Sequence, residues 1–261
     1  MEQEWVDPYE GFVYRSETVK VEPEEQEAKL GACGLSSEHY GGFVDPAFYI
    51  SLAIRAGINS GISAEGNINM VQSLTQHRPV RLGEPLTVHG TIDAVEPVPR
   101  GLTVSTTVWF EDANGERAIT APRKTLKPDP EKVGTRGAGE RPSPVVGDVD
   151  DLELIARHAL SPDAVQAYSS QGNAIHYDLA AAQQAGFRAP MIGGGMGVHY
   201  LVAALSRPRL PNALALDLYF RRPIFWDDAF SVSVAANGRA ACLWKMDGGA
   251  AKVLTEAAIH P

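Results

Sequence analysis

The sequence is short of several things, and each shortage removes a class of function. It has two cysteines, Cys33 and Cys242, in 261 residues. Two thiols cannot build a disulfide framework or a cysteine-rich metal cluster, and a reducing, cytoplasmic setting is expected. Positive charge is scarce: 23 Lys and Arg against 32 Asp and Glu give a net charge of −9. That leaves no basic footprint for nucleic acid. No apolar run, Val198–Leu205 included, approaches the ~20 residues that span a bilayer. The acidic opening, Met1–Pro8, lacks the basic region of a secretory leader. No membrane association is therefore expected. Gly-x-Ser-x-Gly, Walker, His-Glu-x-x-His and Cys-x-x-Cys motifs are all missing, so no metal or redox cofactor is expected.

What is present is an ordinary globular composition, 44% hydrophobic and 21% charged. The length allows one large domain or two small ones. A repeat decides between them. Arg78-Pro79-Val80 before an alternating strand matches Arg222-Pro223-Ile224 before another, and Pro46 before an apolar helical stretch matches Pro190 before a second. Both proline pairs are separated by the same number of residues, which two chance coincidences would not produce. Between the copies, Lys127–Pro144 is rich in Pro, Gly and charge, the composition of an exposed connector. The expected division is 1–127, a connector over 128–147, and 148–261.

Each half reads as a strand, a helix and a run of strands. In the first, Gly11–Val21 is expected as a strand and Pro46–Gly57 as a helix, followed by strands over Asn69–His77, Leu86–Val95, Leu102–Glu111 and Arg117–Leu126. Asn114-Gly115 marks a hairpin between the last two. In the second, Leu152–Ala159 precedes a helix over Gly195–Ser206, and strands follow over Ala213–Arg221, Phe230–Ala236, Ala241–Met246 and Ala251–Ile259. Amphipathic strands following one largely apolar helix imply an α+β fold with an antiparallel sheet curled around that helix.

The chemistry concentrates in Ala167–Asp178 and Gly186–Gly197. Ser169, Asn173, His176, Asp178, Gly186, Phe187, Pro190 and Gly194 match a Ser-Gly-Asp-x-Asn-Pro-x-His-x-Asp signature followed by Gly-Phe, a Pro and a glycine-rich turn. Phe220-Arg221-Arg222-Pro223-Ile224 matches a Phe-Arg-x-Pro-Val element. On these residues, about 55 of the second half, the sequence resembles the MaoC-like hydratases and dehydratases, which include (R)-specific enoyl-CoA hydratases. The first half resembles the degenerate N-terminal copy of two-hotdog members; Cys33–Gly42 carries no Asn-x-x-His element. The resemblance implies a double hotdog and interconversion of a 2-enoyl thioester with its 3-hydroxyacyl product. Acyl-CoA or an acyl-carrier thioester is the implied substrate. A homodimer is a further expectation, because hotdog edges commonly pair.

One position departs from the pattern. Gln171 stands where the family carries its catalytic Asp, and Ala174 where it carries Pro. A carboxamide cannot accept a proton at neutral pH. Gln171 can only hold a water or the substrate, and His176 is left to carry the proton transfers. Asn173 either positions the substrate or caps the loop, and Asp178 either orients His176 or caps a helix over Leu179–Ala185. Gly193, Gly194 and Gly195 precede the central helix. Bare amides at a helix start would stabilise enolate-like charge on a thioester oxygen, though a tightly packed helix also favours such a turn. Tyr168 and Ser170 are further polar groups that could line the site. Arg221 and Arg222, with Arg78 or Arg81, are candidates for coenzyme A phosphates or solvated strand ends. His77 and His199 read as packing or surface residues. Two rival functions remain at this point: thioester hydrolysis on the same fold, and thioester binding without turnover.

Overall fold

The structure is a computed structural model that describes residues 5–132, 137, 142–169 and 173–261. The first half contains strand β1 (Glu17–Val19) and helices α1 (Pro23–Ala32) and α2 (Phe48–Asn59). Strands β2 (Ile68–Gln76), β3 (Leu86–Val98), β4 (Gly101–Glu111), β5 (Arg117–Thr120) and β6 (Arg123–Pro128) follow. The second contains β7 (Leu152–Ala159), α3 (Pro162–Ser169), α4 (Leu179–Gln184), α5 (Gly194–Leu205) and strands β8 (Leu214–Phe220), β9 (Ala229–Ala235), β10 (Ala240–Asp247) and β11 (Ala250–His260).

The strands form one antiparallel sheet in the order β1-β3-β4-β5-β2-β8-β11-β10-β9-β7, with β6 pairing β2 and β4. Each half thus repeats one strand order, and the copies join where β2 pairs β8. The architecture is the α+β double hotdog, with the two curled sheets fused into a continuous one. Ser73 lies opposite Asp217 in that central pair and bonds to its carboxylate. The two residues are 144 apart, the same separation as Pro46 and Pro190. This one pair of corresponding residues therefore marks a pseudo-twofold axis between the halves.

Inside the curl, α2 buries Phe48, Tyr49, Ile50, Leu52 and Ala53, and α5 is buried from Gly195 to Ala203. Both helices contribute to one apolar core that continues across the axis. Helices α1 and α3 are additions to the sequence reading, and two expected strands differ from it. Arg117–Leu126 is two strands, because Pro122 has no N–H for the ladder and the chain bends there; its carbonyl accepts instead from Ser73 N. The Gly11–Val21 segment runs beside β3 but is regular only over Glu17–Val19, since Arg15 N turns away to Ser60 Oγ. Between these contacts Tyr14 is buried under α2. Gly90 and Gly57 make room for it: a methyl at Gly90 would lie 2.4 Å from the Tyr14 ring.

Candidate active site

His176 closes a short 3-10 turn, Ala174–His176, between α3 and α4. Asn173 caps that turn, its side-chain oxygen accepting from Ile175 N at 3.3 Å. Asp178 is exposed and caps α4, accepting from Ala181 N at 2.7 Å. Both side chains thus act in the structure as caps that fix the loop around the imidazole. The orienting partner of His176 is the Met191 carbonyl, 2.8 Å from Nδ1. A carbonyl can only accept, so Nδ1 carries the proton and Nε2 keeps its lone pair. Burial lowers the pKa of this imidazole below 6.5, and the bond to Met191 opposes the shift only in part. His176 is therefore a neutral base at physiological pH.

The Nε2 end of the ring lies face-on against the glycine turn. A methyl at Gly193 would lie 3.6 Å from it. Gly193 is the N-cap of α5, and Gly194 and Gly195 begin the helix. As first-turn residues they have no carbonyl one turn back within the helix, so their amides stand at the positive end of its dipole. Gly194 has a second reason to be glycine. A methyl there would come within 2.7 Å of the Phe220 ring at the end of β8. At Gly195 a methyl would meet Ser51 Oγ at 3.1 Å and Tyr168 Oη at 3.7 Å. The turn is thus approached by an imidazole on one side and a phenol on another. Ser170 and Gln171 lie outside the described residues.

The arginines sort differently from expectation. Arg221 is engaged within the chain: Nε donates to Glu256 Oε1 at 2.6 Å, and the other nitrogens donate to the carbonyls of Pro142 and Ser143, both at 2.9 Å. Glu256 is buried, so this guanidinium neutralises an internal charge and is not available to a phosphate. Arg222 is exposed, with one nitrogen on the Val253 carbonyl. Arg78 pairs with Glu84 and Asp112, and Arg81 lies over the Phe43 ring.

Sequence reasoning missed one cluster. His199, expected as a packing or surface residue, is fully buried and bridges Asp45 of the first half and Tyr168 of the second, at 2.7 and 2.9 Å. The available signal was an imidazole inside an otherwise apolar helix, since a buried polar group demands partners. Lys29 of α1 reaches across the same seam and bonds to the Tyr168 carbonyl. Among the described residues, no group of His, Cys, Asp and Glu could hold a metal ion, and no helix is long and apolar enough to cross a membrane.

No family model matches the chain, and no curated protein does. Solved structures do match. HtdX from Mycobacterium tuberculosis superposes with a TM-score of 0.73 at 20% identity, covering 93% of this chain and 98% of that one. A MaoC-like dehydratase from Phytophthora capsici gives 0.68 at 16% identity, covering 96% and 95%. A further Mycobacterium tuberculosis protein, described as having a double hotdog fold and as essential for survival during infection, gives 0.65 at 13% identity, covering 97% of each. At such identities the likeness is one of fold, and it extends over nearly the whole of each chain.

Proposed function

We propose that this protein adds water across the double bond of a 2-enoyl thioester to give the 3-hydroxyacyl thioester, and catalyses the reverse dehydration. One observation carries the reading: the His176 ring, its Nε2 left unprotonated by the Nδ1 bond to Met191, packs against a glycine turn whose first-turn amides lack intrahelical partners. A base beside unpaired N–H groups suits a reaction that removes a proton from water while negative charge builds on a carbonyl oxygen. Gly194 and Gly195 are the proposed donors to that oxygen. Gln171 and Asn173 would position water or substrate, with Asn173 acting through the loop it caps.

In this reading residues 148–261 carry the site, 1–127 shape the acyl tunnel and 128–147 connect them. The carrier is coenzyme A or an acyl carrier protein, and the exposed Arg222 is the remaining phosphate candidate. A cytoplasmic location and a homodimer belong to the same proposal. The test is hydration of crotonyl-CoA, followed as loss of the enoyl absorbance. Wild type is expected to turn over and His176→Ala to be slower by about 10²–10⁴-fold. Equal rates in both proteins would remove His176 from the mechanism, and release of free thiol without hydroxyacyl product would redirect it to hydrolysis.

A further inference from the structure

The buried bridge between the halves ends at the same glycine turn as His176. Asp45, fully buried just ahead of α2, accepts from the Tyr40 hydroxyl and the Ala47 amide, both at 2.8 Å, and faces His199 Nδ1 at 2.7 Å. A carboxylate so surrounded by donors fixes the His199 proton on Nδ1. In that neutral tautomer His199 Nε2 is a lone pair, to which the Tyr168 hydroxyl 2.9 Å away donates. Burial, with the nearby Cys33 and Asp45 reinforcing it and Ser51 opposing, pushes the Tyr168 phenol well above its ordinary range. The phenol stays neutral. Its proton is committed to His199, so Oη accepts on its remaining side, which faces the Ser51 hydroxyl and the Gly195 turn. The ring is held from the first half by the Lys29 ammonium, 5.0 Å from its centroid.

We propose that Tyr168 is a second catalytic group of this site: Oη accepts one O–H of the attacking water while His176 Nε2 accepts the other. His199 and Asp45 are its positioning residues. The two acceptors lie against Gly193 and Gly195, two residues apart in one turn. The proposal rests on the hydratase reading and assigns a job that Gln171, a carboxamide, cannot complete as a base. In the step, the water O–H breaks to His176 Nε2 and the oxygen bonds to C3 of the enoyl chain. The C2–C3 π pair moves onto the thioester oxygen as an enolate. The enolate collapses as C2 takes the proton back from His176. Tyr168 keeps its own proton throughout, and no other reactant is needed.

The experiment is Tyr168→Phe, which removes one oxygen, alongside wild type, His176→Ala and Asp45→Asn. For Tyr168→Phe, kcat on crotonyl-CoA is expected to fall about 10²-fold with KM within about 2-fold, as for a misplaced reactant. Binding gives an independent readout. The hydroxyl of 3-hydroxybutyryl-CoA takes the place of the water, so its Kd is expected to rise about 5-fold, while butyryl-CoA binds as before. Asp45→Asn lets His199 adopt the other tautomer and is expected to lower kcat in the same way without changing butyryl-CoA affinity. Should that variant fail to fold, the binding split of Tyr168→Phe decides alone. Wild-type kcat in Tyr168→Phe with loss in His176→Ala would overturn the phenol's role and leave the hydratase reading intact. Absence of hydration in wild type would overturn both.

Discussion

His176 works only while neutral, and its surroundings keep it so. Burial outweighs the Met191 carbonyl and holds the imidazole below 6.5. The acid limb of kcat/KM is therefore expected below pH 6.5, with a plateau from there through neutrality; a limb centred above pH 7 would contradict the assignment. The same shift bears on folding. The unfolded chain takes up the proton first as pH falls, so stability from His176, and from His158, which is also lowered by burial, is full above 6.5 and lost below it. Gly194 offers a second test at this scale. Gly194→Ala sets a methyl against the Phe220 ring and is expected to cost about 1–3 kcal/mol of stability, as overpacking does, together with turnover. Phe220→Leu in the same chain should recover stability, read by urea denaturation of the four proteins of the cycle. Much of this site is legible in the sequence, because His176 and the glycine turn are close along the chain. Asp45 and His199, 154 residues apart, are joined only by the fold, and no local spacing announces them.

Elements were legible where one face is apolar and obscure where it is not. The central helices and most strands follow their hydrophobic period. Helix α1 buries only Gln26 and Leu30, too few to produce a period, although Pro23 at its start and Glu24 and Glu25 in its first turn are the terminus signals of such a helix. The split of β5 from β6 was visible only as Pro122, whose effect depends on which neighbour needs an N–H. Arg221 shows the limit of reading a residue without its strand. It follows β8 directly, beside β11, where the buried Glu256 requires a cation and the chain before β7 requires donors. Arg221→Met is expected to destabilise the fold by about 3 kcal/mol near neutrality, leaving Glu256 uncompensated. Chemical denaturation at pH 7 checks this, and KM for an acyl-CoA should be unaffected.

At the scale of the molecule, the repeat read from two proline pairs fixes the axis, and the axis fixes the seam. Residues 1–132 and 142–261 made as separate chains would each expose a long edge, β2 or β8, a template for pairing. Mixed, they are expected to assemble one to one. Alone, 142–261 would set Asp217 against Asp217 at the axis, and like charges directly opposite repel; 1–132 would set Ser73 against Ser73. Sedimentation velocity should find the 142–261 fragment the weaker self-associator, and a homodimer of it as tight as the mixed pair would refute the argument. Two identical subunits must meet their own likeness on a twofold axis. A single continuous polypeptide is freed from that rule, and here serine confronts aspartate in the strands and serine confronts glycine between the helices. Asymmetry at the centre is what allows one copy to keep its helix start open while the other hands over the groups that surround it.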